Sequence, residues 1–357
     1  MIVIDGHLDL AMNALIWNRD LRRSVAEIRE QEAGMTQKGR AAGTVAFPEL
    51  RRGEVAVSLA TVIARCNPAG SANIDYKTRD IAYAQAQGQL AYYRELERQG
   101  VLRLLKDWPA LSAHMAEWRA DPARTPLGVI LCMEGADPIV APDQLAAWWD
   151  DGLRVVSLAH YGPSAYARGT GSSGPLTPAG RALLDRMAAQ GVILDVTHLC
   201  DESFWEAVAR FPGPLLASHS NCRALVPDAR QFTDDQLRLL VERGAVIGAA
   251  MDAWMLYPGW IKGETRPDVV GLDAFVDQID HVCQLAGNAR HAAIGTDLDG
   301  GYGTEQVPHD LDTIVDLQKI PSMLRDRGYG DDDIAAIFHG NWLRLFERAW
   351  SDQPPVR

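Results

Sequence analysis

Five short polar islands stand at the ends of apolar runs, and all of them carry imidazoles or carboxylates. His7-Leu8-Asp9 follows Met1–Asp5, Glu134 follows Leu127–Met133, and His198 follows Val192–Thr197. His219 follows Pro214–Ser218, and Asp297 follows Ala292–Thr296. These side chains hold divalent cations through N and O donors. Three histidines and three carboxylates exceed what one catalytic zinc needs, which is three protein ligands and a water. The set suits two ions that share a bridging carboxylate. Such a pair holds a hydroxide and polarises a carbonyl at once. The chemistry implied is metal-dependent hydrolysis.

Taken singly, each island has a plainer reading. His7 and Asp9 lie two apart, so an extended backbone sends both to one face. A polar strand end would look the same. Glu134 ends an apolar run, where a buried carboxylate is costly unless a cation or a salt-bridge partner compensates. His198 and His219 would each pass for a satisfied core histidine. Their place at the ends of two successive strands makes them ligands, because neighbouring strand ends reach one ion. Asp297 has a rival in Asp299, which is expected to cap the turn at Gly300-Gly301. His160 follows Arg154–Ala159 at another strand end and opens a long loop. His114, His281, His291, His309 and His339 read as structural.

Several parallel strands must point these ends at one place. Strands and helical patterns alternate along the chain, which indicates an α/β fold, a (β/α)8 TIM barrel with its chemistry at the C-terminal strand ends. The strand candidates are Ile2–Asp5, Val55–Ala64, Val101–Leu105, Gly128–Met133, Val155–Leu158, Val192–Val196, Leu215–Ser218, Val246–Ala250 and Ala293–Thr296. That is one too many for eight places, and Val101–Leu105 is expected outside the barrel. Helices are expected over Thr78–Gln99, Leu111–Ala120, Thr177–Gln190, Asp234–Arg243 and Leu272–Ala286. Thr177-Pro178 reads as an N-cap followed by proline at N1, and the last two helices are expected to start by the same rule. The connections Arg65–Lys77, Tyr161–Pro175 and Trp254–Gly271 follow strand ends and should overlie the mouth. Arg168–Gly174 lacks the lysine and frame of a phosphate loop and reads as a flexible loop. One domain is expected over 1–350, with a frayed tail over 351–357.

The 357 residues suffice for one large barrel. A net charge of −12 and a pI of about 5.2 argue against nucleic acid and anionic membrane. Five cysteines without a CxxC pair suggest a reducing compartment. No apolar run is long enough to span a membrane, and Met1–Asp5 is too short for a signal peptide. A cytoplasmic location is therefore expected.

The chain resembles the membrane (renal) dipeptidase family of binuclear zinc dipeptidases, an amidohydrolase-like branch. The resemblance runs over nearly the whole chain. It rests on Asp5-Gly-His-Leu-Asp9, Met133-Glu-Gly135, Leu158-Ala-His160, Leu194-Asp-Val-Thr-His198 and Ser218-His-Ser-Asn-Cys-Arg-Ala-Leu225. It continues through Arg230, Ile294-Gly-Thr-Asp-Leu-Asp-Gly300 and Gly340-Asn-Trp-Leu-Arg344. It implies that His7 and Asp9 hold one Zn2+, that His198 and His219 hold the other, and that Glu134 bridges them. It further implies that His160 steadies the oxyanion and that Asp297 carries protons between the bridging water and the leaving amine. Arg230 would grip the C-terminal carboxylate of a dipeptide, and a bidentate guanidinium suits that task. Arg223 is the weaker candidate for it. The expected substrate is a free dipeptide, with a D-residue at its C-terminal position left open, and a homodimer is compatible with the family.

The sequence departs from the family at Leu10, where proline is usual, and at Ala136, where a second glycine is usual. The loop after His160 lacks an Asn-rich stretch, which leaves the side-chain preference open. Nothing resembles the lipid-anchor signal of mammalian relatives. The nearest rival is another amidohydrolase, such as a lactonase or an N-acyl amino acid hydrolase. Those sites usually open with HxH and often bridge through a carboxylated lysine. Here only Lys106 follows a strand-like run, so Glu134 is the better bridge. A catalytically inactive binding barrel is disfavoured by the retention of every expected ligand.

Overall fold

Eight of the apolar runs become parallel strands buried along their length. The computed structural model describes residues 1–351, so all of the expected tail 351–357 except Ser351 lies outside the described residues. The strands are β1 (Val3–Leu8), β2 (Val55–Ile63), β3 (Leu127–Glu134), β4 (Val155–Ser157), β5 (Ile193–Asp195), β6 (Leu215–Ala217), β7 (Val246–Ala249) and β8 (Ala292–Ile294). They pair in chain order, and every ladder between them is parallel. Leu102–Leu104 adds to the start of β3 from outside that path, as expected for the ninth run. Helices outside and side chains inside cover both faces, which explains why β2 reads as the unbroken run VAVSLATVI.

The seam between β8 and β1 is closed by side chains. Thr296 donates its N–H to Asp5 Oδ1 (2.9 Å) and its hydroxyl to Asp5 Oδ2 (2.6 Å). Trp342, in the helix Asn341–Trp350, donates its indole N–H to Ile294 O at 3.0 Å. Gly6 faces Trp342, and a Cβ there would sit 2.6 Å from the indole. The Gly340–Arg344 motif is thus a seam closure.

The helix starts follow from local chemistry. Thr78 and Thr177 each cap a helix through the side-chain oxygen, and Pro178 fills N1. Thr233 forms a reciprocal capping box with Gln236. Leu272–Ala286 departs from the expected rule, because its N-cap is Gly271. Asp310 supplies the missing acceptor, taking the Leu272 N–H at 2.9 Å.

Candidate metal centre

The predicted ligands arrive from five strand ends, and the C-terminal mouth brings them together. His7 sits inside β1, two residues further along than the strand was expected to run, and Asp9 follows it. Glu134 is the last residue of β3. His198 and His219 follow β5 and β6, and Asp297 follows β8. All are buried except Asp297, whose side chain is 16 % exposed. Three overlapping donor groups result: His7–Glu134–His219, Glu134–His160–His198 and His7–Asp9–Asp297.

Glu134 stands at the centre. Its Oε2 is 3.7 Å from His7 Nε2. Its Oε1 is 3.2 Å from His198 Nε2, 3.4 Å from His219 Nε2 and 3.8 Å from His160 Nε2. His7 Nε2 also lies 3.8 Å from Asp9 Oδ2 and 3.7 Å from Asp297 Oδ1. The three carboxylate contacts of His7 Nε2, at 3.7 and 3.8 Å, are too long for hydrogen bonds, and that atom is buried with no hydrogen-bond partner. An N/O donor set of this kind, spaced around a gap, fits divalent cations. On the far side, Asp9 Oδ1 accepts the Thr61 hydroxyl.

Charge is distributed unevenly over the site. Burial works to lower the His7 pKa, but Glu134, Asp9 and Asp297 outweigh it and raise it to about 10. Burial pushes Glu134 up to about 7, with His7 opposing. It also pushes the Asp297 carboxyl well above the usual carboxylate range. His198 and His219 go the other way, held far below the ordinary imidazole value by burial and by Arg230. Crowded carboxylates and neutral imidazoles are the forms that a cation complements.

Backbone strain is concentrated at two of these residues. His198 and Asp297 have φ of +68° and +58°, unusual for residues with a Cβ. Each follows a threonine whose N–H is held by a buried aspartate. Thr197 N–H donates to Asp195 Oδ1 at 2.9 Å, as Thr296 N–H does to Asp5.

Other residues fall differently from expectation. Asp299 does not cap its turn with its side chain. It accepts from Thr44 N (2.7 Å), Thr44 Oγ1 (2.8 Å) and Val45 N (3.1 Å), and Arg19 lies beside it. Arg168–Gly174, read as a flexible loop, is pinned. Thr170 N–H donates to His160 O, and the Thr170 hydroxyl lies 3.0 Å from His198 Nδ1. Arg223 makes two 2.8 Å bonds to Asp201, away from the cleft. Arg230 is buried, donates to His219 O (2.7 Å) and Ser220 Oγ (3.0 Å), and makes no ion pair with Asp228 or Asp234 among the described residues. The five structural histidines bond to backbone carbonyls or, for His281, to Asp234. Lys106 packs beside Gly152.

A cleft of about 270 Å³ opens over the centre. Asp9, Glu134, His160, His198, Arg230 and Asp297 line it. All three long connections contribute walls, through Asn73 and Ile74, Tyr161, and Trp254 and Met255. Asp252 was missed, although it stands just past β7 by the same strand-end rule that found the others. It is buried on the cleft wall, accepts from Gln306 Nε2 (2.7 Å), and burial raises its pKa to about 6. Among the described residues no helix is long and apolar enough to cross a membrane.

Known proteins resemble the chain along its length. The chain is 27% identical over 353 residues to an uncharacterised dipeptidase of Schizosaccharomyces pombe, covering 97% of this chain and 80% of that protein. It is 31% identical over 183 residues to an uncharacterised protein in the pqqA 5' region of Klebsiella pneumoniae, which covers 51% of this chain and 64% of that protein. The chain thus spans just under two thirds of the length of that second relative. Its fold matches a Rhodobacter sphaeroides metallo peptidase solved with a phosphinate mimic of the dipeptide L-Ala-D-Ala. The TM-score is 0.79 at 22% identity, covering 98% of this chain and 99% of that one. The sequence pattern of the membrane dipeptidase family, peptidase family M19, matches residues 1–353, so the chain belongs to that family.

Proposed function

We propose that this chain is a binuclear zinc dipeptidase that hydrolyses free dipeptides, including those with a D-residue at the C-terminal position. Glu134 carries the reading, because its Oε2 faces His7 while its Oε1 faces His198 and His219. His7 and Asp9 would hold one ion, His198 and His219 the other, with Glu134 between them. When bound, two such ions lower the pKa of a water and polarise a scissile carbonyl.

The protein's own groups supply the rest. Arg230, buried on the cleft wall, would grip the substrate's C-terminal carboxylate through a guanidinium already oriented by His219 O and Ser220 Oγ. His160 faces the cleft and would donate to the oxygen of the scissile carbonyl as charge develops there. Asp297, whose carboxyl burial pushes up, would hold a proton and pass it to the departing nitrogen. The small cleft and its basic end favour a short substrate with a free carboxylate. The ligand in the Rhodobacter sphaeroides peptidase is the reason to test a C-terminal D-residue.

The test is elemental analysis of gently purified protein, followed by a screen of dipeptides, tripeptides, N-acyl amino acids and lactones. Two zinc-class ions per chain and cleavage of dipeptides are expected. Chelation should abolish turnover, and zinc should restore it. A ceiling of one ion in excess zinc would sink the binuclear centre. Turnover of lactones or N-acyl amino acids without dipeptides would move the chain to another amidohydrolase activity.

A further inference from the structure

Three imidazoles crowd Glu134 Oε1, yet the binuclear reading makes only two of them ligands. His198, His219 and His160 lie 3.2, 3.4 and 3.8 Å from that oxygen. A neutral imidazole binds a cation or donates a hydrogen bond through Nε2, never both. Which it does depends on where its proton sits, and the partner of Nδ1 decides that.

The partners differ in kind. At His219, Nδ1 lies 2.8 Å from Ser218 Oγ. That hydroxyl has Asp195 Oδ2 at 2.6 Å, much closer than its alternative acceptor Thr197 Oγ1 at 3.3 Å. A carboxylate only accepts, so Ser218 donates to it and is left with a lone pair for His219 Nδ1–H. The proton is on Nδ1, and Nε2 keeps its lone pair. At His198, Nδ1 lies 3.0 Å from Thr170 Oγ1, whose hydroxyl donates to the carbonyl of His198 itself at 3.3 Å. The outcome is the same, so the two Nε2 lone pairs converge at 3.2 Å, a contact that is then no hydrogen bond and that a shared cation would relieve. At His160, Nδ1 faces Arg65 Nη1 at 3.5 Å, and Asp75 holds that guanidinium at 2.8 Å. A guanidinium only donates, so His160 Nδ1 accepts and the proton lies on Nε2, towards the cleft.

We infer that Asp195 with Ser218, Thr170, and Arg65 with Asp75 are positioning residues that sort three neighbouring imidazoles into two metal ligands and one hydrogen-bond donor. This rests on the proposed metal centre. Asp195 holds both ligand histidines. Its Oδ1 accepts the N–H of Thr197, before His198, and that of Ser218, before His219. Asp195→Asn keeps the shape but reverses the relay. The new amide donates to Ser218, whose hydroxyl then donates to His219 Nδ1 and moves the imidazole proton to Nε2, where the metal belongs.

The test is a zinc titration of metal-free protein against a chromophoric chelator, with steady-state kinetics of the zinc-loaded forms. Asp195→Asn should weaken one of the two zinc sites by about 10- to 100-fold and leave the other as in wild type. Ser218→Ala should weaken the same site, and it serves if Asp195→Asn does not fold. Arg65→Met should keep both zinc affinities and lower kcat by about tenfold or more with KM little changed, because the oxyanion donor is lost part of the time. Two zinc sites of wild-type affinity in both Asp195→Asn and Ser218→Ala would overturn the sorting, as would an unchanged kcat in Arg65→Met. Wild-type protein that takes no zinc would overturn the metal-centre reading itself and the sorting with it.

Discussion

The two halves of the centre hold their donors in opposite ways. On the β1 and β8 side, His7, Asp9 and Asp297 form an acid-rich group whose crowded charge raises the His7 pKa to about 10. On the β5 and β6 side, His198 and His219 are neutral, burial and Arg230 hold their protonated forms down, and hydroxyls occupy both Nδ1 atoms. Both halves use the same scaffold underneath. Asp5 ties β1 to Thr296 and Asp195 ties β5 to Ser218, each with one hydroxyl bond of 2.6 Å. The difference teaches that one half supplies charge and the other supplies prearranged neutral lone pairs. Glu134 is the one carboxylate that faces both.

The strongest way to break this picture is at the shared residue. Glu134→Gln should give near-complete loss of turnover and weaken both ions together, since an amide lacks the charge and the second equivalent oxygen. Metal stoichiometry and turnover on one dipeptide check it, and near wild-type activity would make Glu134 a structural acid. Removing one half at a time is next. Asp9→Ala and His219→Ala should each leave about one ion per chain and little activity, with the remaining ion in opposite halves. Cobalt loading checks this, because the surviving site should give a different visible spectrum in the two variants. Identical spectra would mean that the halves are not separate sites.

Asp297 sharpens the comparison, because it sits with the acidic donors and faces the cleft. As a proton carrier, Asp297→Asn should retain both ions and lower kcat on the order of 10²-fold or more. Loss of metal with that change would place it among the ligands. The smallest effect concerns Arg230. Arg230→Ala should reduce the preference for a free dipeptide over its C-terminal amide by about tenfold, the scale of one charge-assisted hydrogen bond. The ratio of kcat/KM for acid and amide measures it. An unchanged ratio would confine Arg230 to orienting His219 O.

Much of the fold was legible because its signals are local. Apolar runs buried on both faces marked the strands, and a threonine cap marked the helix start at Thr177. Ligand-type residues at successive strand ends marked the site. Asp252 was overlooked although its position obeyed that rule, whereas Asp299 followed a local turn rule that a distant contact overrode.

By itself the sequence determined which residue types stand at the barrel mouth, because each strand ends within a few residues of its apolar run. It also set the parallel order of strands, since helices long enough to cross over separate them. Only the tertiary structure decided what those residues face. Asp299 is claimed by Thr44 and Val45, 255 and 254 positions away, so its side chain leaves the turn. Thr170 comes from a glycine-rich loop and meets His198 only because that loop folds back over β5. Proton placement on an imidazole and the direction of a carboxylate oxygen depend on such distant partners. No local periodicity encodes them, and they separate a ligand from a donor among three histidines that the sequence writes alike.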